Sequence, residues 1–465
     1  MGATILLIAP RKAGKSPYIL QPHLGLGYLA ASLRDAGFEP AILDVALADL
    51  SPEAVAETAR PYDLVGLTAY SCEFTAAAAI ARALKADRPA RPLIMGGPHF
   101  TALPAETMAA IPELTAGILG EGEAALPRLA AALLDDPALF AAATLENLVW
   151  RDGETIRLNP RRFPDPAELP AMPAWDLLRP ERYPLQPNGI FSREDRVAPI
   201  ITGRGCPHAC RFCASERLFG RRVRRRPAAQ VVAEMHYLAD RYGFREFHLQ
   251  DSAMVVHGDY LRELCDSLQA AGRRYWLNLT SGVRLDTMTP ELVRLLESAG
   301  CYSMALGIES GSDRVLGLMN KHLDTDTIRR QTRMIRENSR IRLTGFFIVG
   351  YPGETTADIE ATVRLSLELP IDRANFFNFL PLPGTRVFEE LREKGALADL
   401  STDRLYIHEF PFAHPSLELR DWKRRIRRAN LRFYLRPRII RGLLGEIRSF
   451  SQVKIILRRA ASILG

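Results

Sequence analysis

Long apolar runs are missing from this 465-residue chain: no uninterrupted stretch approaches 18 residues, so the sequence offers nothing to span a membrane as a helix. Cysteines are few, six in all, and three of them crowd one loop, which does not make a disulfide framework. Cys72, Cys265 and Cys301 are scattered and read as small buried hydrophobes. The first residues, Met1-Gly-Ala-Thr-Ile-Leu-Leu-Ile-Ala-Pro10, lack a basic stretch and a small-residue cleavage site, and read as a strand, not a leader. What is present is ordinary for a globular protein: 47% apolar and 25% charged residues, and length enough for two or three domains with cores of their own. The net charge of +7 is unevenly spread. Asp421 to Gly465 hold 13 Lys/Arg against two acids, a net of +11, which leaves about −4 for the 420 residues before them.

Across residues 1–140, short aliphatic runs alternate with amphipathic stretches. Strands are expected at Thr4–Ala9, Pro40–Val45, Asp63–Ala69, Leu93–Gly97 and Gly117–Gly120, with helices such as Gly27–Ala36 and Phe74–Ala86 between them. That alternation predicts an α/β fold with a doubly wound, Rossmann-like parallel sheet, whose ligands sit beyond the carboxyl ends of its strands. Glycine-rich and polar loops fall there: Leu24-Gly-Leu-Gly27, Thr68-Ala-Tyr-Ser71, Gly96-Gly-Pro-His99 and Gly120-Glu-Gly-Glu123. Residues 141–195 differ in texture. Leu148–Arg157 reads as a hairpin turning at Asp152-Gly153, and nine prolines from Pro160 to Pro199 predict an extended linker without regular helices. Residues 196–415 repeat strand then helix six times, the strands at Pro199–Thr202, Phe247–Gln250, Tyr275–Gly282, Ser303–Ile308, Ile341–Val349 and Arg373–Phe379. Six such units predict a partial (β/α)6 barrel, TIM-like, with its chemistry at the carboxyl ends of the strands.

The most specific signal follows the first of those strands: Gly203-Arg-Gly-Cys-Pro-His-Ala-Cys-Arg-Phe-Cys-Ala214. Three thiolates at C-x3-C-x2-C, on Cys206, Cys210 and Cys213, can hold three irons of a [4Fe–4S] cube. The fourth iron is left open to bind and reduce a small molecule. Chance clustering and a structural zinc loop are the plainer readings. Zinc takes four protein ligands, and the nearest further donor, His208, lies inside the loop, out of reach of the same ion.

This spacing, with Phe212 just before the last cysteine, resembles the signature of the radical S-adenosylmethionine (SAM) enzymes. Leu306-Gly-Ile-Glu-Ser-Gly311, Gly345-Phe-Phe-Ile-Val-Gly-Tyr-Pro-Gly-Glu354 and Leu380-Pro-Leu-Pro-Gly-Thr385 resemble strand-end signatures of the cobalamin-linked branch. The loops of residues 1–140 resemble that branch's cobalamin-binding domain. The branch holds methylases and the anaerobic Mg-protoporphyrin monomethyl ester cyclase. The resemblance implies a [4Fe–4S] cluster on the three cysteines, SAM chelated by its open iron, and an external one-electron reductant of flavodoxin or ferredoxin type. Reductive cleavage of SAM would then give a 5′-deoxyadenosyl radical. It also implies SAM contacts from Phe212, Asp251, Glu309, Gly350 and Arg284, and cobalamin contacts from Gly25, Gly27, Thr68, Tyr70, Ser71, Gly96, Gly97, Gly120 and Glu121.

Two departures stand out. The second barrel strand ends Leu249-Gln-Asp-Ser-Ala-Met254, where members often carry two acids and then a phenylalanine; only Asp251 is kept. The Asp-x-His-x-x-Gly run of cobalamin mutases and methionine synthase is missing around His23 and His99, which implies cobalamin held without a histidine on its lower face. The expected reaction is C-methylation of an unactivated carbon in a small, hydrophobic biosynthetic intermediate. Radical cyclisation or rearrangement without methyl transfer is the alternative, and a non-catalytic cobalamin or redox sensor a further one. A tRNA methylthiotransferase would need three more cysteines near the N-terminus, where only Cys72 stands. An open cluster requires a reducing compartment, so a cytoplasmic location is expected.

Residues 416–465 interleave cations with Ile426, Leu431, Phe433, Leu435, Ile439, Ile440, Leu443, Leu444 and Ile447 near helical spacing, broken at Pro437, and Val453–Leu464 repeats the pattern. Three uses fit: a helical cap on the barrel, an interfacial contact with anionic membrane on its inner face, or a contact with nucleic acid, the least favoured.

Overall fold

A computed structural model of the chain describes residues 2–11, 20–134, 145–185, 192–256, 258–406, 409–412, 414, 418–447 and 453. The first sheet is built on β1 (Thr4–Ala9), a six-residue apolar strand whose alternate side chains are buried on opposite faces. Leu6 and Ile8 join one core cluster, and Ile5 and Leu7 another, which is why the strand reads as unbroken aliphatics. Around it stand β2 (Glu39–Asp44), β3 (Leu64–Thr68), β4 (Leu93–Gly96) and β5 (Ala116–Ile118), in the order β2-β1-β3-β4-β5 and all parallel.

The hairpin β6 (Leu148–Asp152) and β7 (Thr155–Leu158) does not belong to a linker. It pairs antiparallel along β5 and makes a mixed seven-stranded sheet of one that was expected to be wholly parallel. A hairpin needs no crossover helix, and it covers an edge that β5 would otherwise present to solvent. The proline-rich stretch that follows is not wholly irregular either. Ala174 N–H donates to the carbonyl of Gly27 (2.9 Å) and starts one helical turn, Trp175–Leu178, whose indole N–H reaches Glu234 Oε1 (2.9 Å).

The second sheet contains β8 (Val197–Ile200), β11 (Glu246–Leu249), β12 (Trp276–Val283), β13 (Cys301–Glu309), β14 (Arg342–Val349) and β15 (Arg373–Asn378). They are parallel neighbours in chain order, as a partial barrel requires. Between β8 and β11 lies a two-stranded antiparallel ribbon of β9 (Gly203–Arg204) and β10 (Arg224–Arg225). Phe247, Leu279, Met304, Leu343 and Phe347 turn outward into one core with the helices, whose starts are fixed by side-chain caps at Thr289, Ser312, Asp324 and Thr355.

The helix Leu419–Tyr434 closes over the barrel with Trp422, Ala429 and Phe433 buried, and Tyr434 Oη donates to the carbonyl of Ala374 (2.9 Å). The next helix, Pro437–Gly445, buries only Ile439, while Leu435, Ile440 and Leu444 stay exposed. Beyond Val453, the helix expected to Leu464 lies outside the described residues. Among the described residues no helix is long and apolar enough to cross a membrane.

Candidate active site at the two carboxyl edges

The three cysteines sit in the loop that joins β9 to β10, at the carboxyl end of the barrel. Gly205 enters it at φ +97°, where a Cβ would stand 2.1 Å from the carbonyl oxygen of Arg222, so only glycine threads the gap. Cys206 N–H donates to the carbonyl of Gly220 and Cys213 N–H to that of Cys210, both at 3.1 Å. The Cys213 thiol lies 3.2 Å from Ser215 Oγ. Cys206 is buried, and Cys210 and Cys213 are half-buried. Among the described residues no three His, Cys, Asp or Glu side chains converge as ligands of one ion do. A cube asks for something else, since each thiolate takes its own iron; three thiols on one loop at three separate points are the donor set that suits it.

A turn that nothing in the sequence singled out clasps this loop. The carbonyl of Met319 accepts from Arg211 N–H (3.0 Å), and Asn320 Nδ2 donates to the carbonyl of Ala209 (2.8 Å). Asn320 and His322 both hold left-handed backbone, at φ 54° and 52°. Arg284 pins the turn by donating to the carbonyls of Lys321 (2.7 Å) and His322 (2.8 Å), with Asp286 on its Nε (2.7 Å). The turn buries Lys321, whose Nζ meets Glu309 Oε1 at 2.8 Å. Glu309 ends β13 at φ 68°, a costly conformation for a side chain with a Cβ. Burial works against the Lys321 charge, and Glu309 more than restores it. Burial also raises the Cys210 thiol, and Lys321 offsets only part of that rise.

Glu309 lies beside this loop through Lys321, and Phe212, within the loop, packs against the apolar cluster that contains Met319, Tyr351 and Phe379. Three other residues expected to bind SAM are engaged elsewhere. Asp251 is buried, its Oδ1 accepting from Thr202 N–H (2.7 Å) and its Oδ2 from Arg225 (2.7 Å) and the Thr202 hydroxyl. Burial raises its pKa against the pull of Arg225. Arg284 spends its donors on the turn. Gly350, at φ +83°, leaves space for an indole: a Cβ there would lie 2.0 Å from the Trp422 ring. Close approach is required, but by the helix Leu419–Tyr434.

In the first sheet, Thr68, Tyr70, Ser71, Gly96 and Gly97 gather beyond the carboxyl ends of β3 and β4. Gly97 has φ +87°, and a Cβ would fall 2.2 Å from Thr68 Oγ1. Tyr70 is 52% exposed as a residue, yet its hydroxyl lies in a crowded setting where burial raises its pKa. His99 is withdrawn from it: buried, stacked on Phe74 at 4.3 Å, with Nδ1 3.1 Å from Ser71 Oγ. Burial lowers its pKa to about 4, so it stays neutral. Gly25 faces open space, and Gly27 makes room for Leu178 and Pro173 of the connecting segment. Gly120 N–H donates to Thr101 Oγ1 (2.8 Å), and its α-carbon faces the Arg161 guanidinium. Glu121 points into neither site; it is buried against Arg204 and Arg224. The run Arg221–Arg226 that supplies Arg224 has the look of a solvated basic stretch, yet Arg224, Arg225 and Arg226 pair with Glu121, Asp251 and Glu234 respectively.

Comparison with known proteins bears on both domains. Residues 200–366 match the model of the radical SAM superfamily, and residues 14–130 match that of the B12 binding domain. A protein of Pyrococcus horikoshii named as the uncharacterized methyltransferase PH0819 is 28% identical over 90% of this chain and 89% of its own length. The anaerobic magnesium-protoporphyrin IX monomethyl ester cyclase of Cereibacter sphaeroides is 28% identical over 82% of this chain and 62% of the cyclase. Among solved structures, TsrM of Kitasatospora setae, a radical SAM methyltransferase with cobalamin and a [4Fe–4S] cluster bound, shares the fold. It superposes with a TM-score of 0.68 at 22% identity, over 85% of this chain and 76% of TsrM.

Proposed function

Because the chain joins a B12-binding domain to a radical SAM domain, and so belongs to the cobalamin-binding radical SAM enzymes, we propose that it methylates an unactivated carbon of a small biosynthetic intermediate. The observation that carries this reading is the cysteine loop clasped against a buried Glu309–Lys321 pair, on a barrel whose mouth is tied to the carboxyl edge of the first sheet. When bound, the cluster supplies the electron that cleaves SAM, and cobalamin carries the methyl group.

The chain's own residues position and seclude. Cys206, Cys210 and Cys213 would hold the cluster through their three thiolates. Lys321 keeps a positive charge beside the thiolates, and Glu309 offers a carboxylate to the ribose or amino group of SAM. Phe212 and Tyr351 exclude water from the adenosyl side. Tyr70, with the small residues Thr68, Ser71, Gly96 and Gly97, would offer a neutral surface to a corrin.

Two further parts complete the proposal. A flavodoxin or ferredoxin supplies electrons. The exposed Leu435, Ile440 and Leu444 on a basic segment rest on anionic lipid, which would suit a hydrophobic substrate. Binding to anionic vesicles that survives Leu435→Ser/Ile440→Ser/Leu444→Ser rejects the lipid contact.

The test of the main proposal is anaerobic reconstitution with iron, sulfide and hydroxocobalamin, followed by desalting and a spectrum. Retained corrinoid and a cluster band lost in Cys210→Ala support it, and S-adenosylhomocysteine released under reductant supports methyl transfer. The likeness to the cyclase favours a second reading, ring closure. Formation of 5′-deoxyadenosine without S-adenosylhomocysteine selects that one, and neither product under strong reductant selects a sensor.

A further inference from the structure

The base of the cysteine loop is bolted to the first domain. Arg204, two residues before Cys206, faces Arg224 across the β9–β10 ribbon, and the ribbon closes the loop between them. Both arginines converge on one carboxylate. Glu121 Oε2 accepts from Arg204 (3.0 Å) and from Arg224 (2.9 Å), and Glu121 Oε1 accepts from the second nitrogen of Arg224. Glu123 Oε1 takes the remaining fork of Arg204 at 2.6 Å. Arg224 also donates to the carbonyls of Pro164 (2.7 Å) and Phe219 (3.0 Å).

Glu121, Glu123 and Arg224 are buried, so water does not soften these bonds. Burial opposes the charge on Arg204, and Glu123 and Glu121 more than restore it. The two acids follow Gly120, which is tied to Thr101 on the helix Gly97–Ala102 that begins at the corrin edge, and Arg217 adds a second strut to the carbonyl of Thr101 (3.2 Å). An unbroken line of directional contacts thus runs from Gly97 to Cys206. Bidentate, charge-assisted bonds fix orientation as well as distance, which an apolar interface of the same area does not.

Resting on the proposed placement of both cofactors, we infer that Glu121 and Glu123 are positioning residues that set the separation between cobalamin and cluster-bound SAM. A misplacement of about 1 Å between reacting groups costs about 100-fold in rate. The separation is therefore a property worth fixing with buried ions.

Full-length wild type, Glu123→Gln and Arg204→Lys are reconstituted with cluster and hydroxocobalamin and compared in three ways. Iron and corrinoid content report integrity. The ratio of S-adenosylhomocysteine to 5′-deoxyadenosine reports methyl loss against cleavage at the cluster. The electron-spin relaxation of cob(II)alamin beside the reduced cluster reports their distance without turnover. Expected are wild-type contents, a ratio lower by about tenfold or more, and altered relaxation in both variants. Unchanged ratio and relaxation overturn the inference, as does a parallel fall of both products with cluster content, which would mark the ion pairs as loop stability alone. If one variant fails to fold, the other decides by the same two readouts. Wild type that retains no corrinoid would instead defeat the functional reading beneath it.

Discussion

At the barrel mouth, Lys321 and Glu309 are buried and bonded to one another, and Glu309, Asn320 and His322 all hold left-handed backbone. At the carboxyl edge of the first sheet, Thr68, Tyr70, Ser71 and Gly97 carry no charge, and His99 is buried as a neutral ring. The mouth concentrates cost: left-handed side chains are worth about 1–3 kcal/mol of strain each, and buried charges more unless paired. The sheet edge spends little. An anionic cluster and a charged sulfonium cofactor need fixed charges aimed at them, whereas a large macrocycle needs area and shape. Between the two lies the Glu121–Glu123–Arg204–Arg224 knot, polar like the mouth but facing no ligand.

That contrast breaks most readily at the thiolates. Cys210→Ala removes one of three irons' ligands, so complete loss of the cluster band and of 5′-deoxyadenosine is expected, with corrinoid retention unchanged. Corrinoid lost together with iron would mean the two edges are a single site. The next effect is at Lys321. Lys321→Met leaves Glu309 buried without its partner, and an orphaned buried charge costs about 3–5 kcal/mol. Urea unfolding of the reconstituted protein should show that loss, and Lys321→Met/Glu309→Gln should recover most of it. Failure of the double variant to recover would mean that Glu309 is stabilised by something other than the ammonium.

Gly350→Ala probes the barrel mouth from its cap. The new Cβ meets the Trp422 ring in a backbone conformation that already disfavours it, so a loss of about 3 kcal/mol or more is expected in the same assay, comparable to deleting the indole. Glu354, four residues on, gives a pH signature. It is buried, with Oε2 accepting from Gly350 and Tyr351 N–H, and burial raises its pKa from 4.5 to about 8. The folded chain thus keeps a proton that the unfolded chain releases between those values. Stability falls as pH rises through that window, by up to about 1.4 kcal/mol per pH unit. Glu354→Gln should flatten the fall; an unchanged slope would place its cause elsewhere.

Much of this was legible because it is local. A strand buried on both faces must be apolar at every position, so β1 could be read as Thr4–Ala9 from its letters, and all six barrel strands were placed to within about two residues. The cysteine loop is a spacing, and spacing survives in sequence. What escaped depends on partners distant along the chain. Arg204 and Arg224 meet Glu121 from 83 and 103 residues away; Trp422 reaches Gly350; Pro173 and Leu178 lie on Gly27. In each case a glycine or an acid expected to meet a cofactor has another part of the chain as its neighbour, since both demands leave the same letter. Lys321 was missed for a related reason, because a lysine after a helix looks like any solvated lysine until burial and Glu309 are seen.

The smallest effect expected is also the one that most sharpens the contrast between the edges. If the first sheet binds a corrin by surface and shape, with His99 neutral throughout, then corrinoid retention should not vary between pH 6 and 8, because His99 with a pKa of about 4 does not titrate there. His99→Gln should lower retention less than about threefold, through the lost stacking on Phe74 alone. Equilibrium dialysis of hydroxocobalamin against the full-length protein at several pH values measures both. A loss of affinity centred near pH 6.5, abolished in His99→Gln, would mean that the histidine leaves Phe74 and Ser71 to reach the ligand, and that the first sheet uses a titratable group after all.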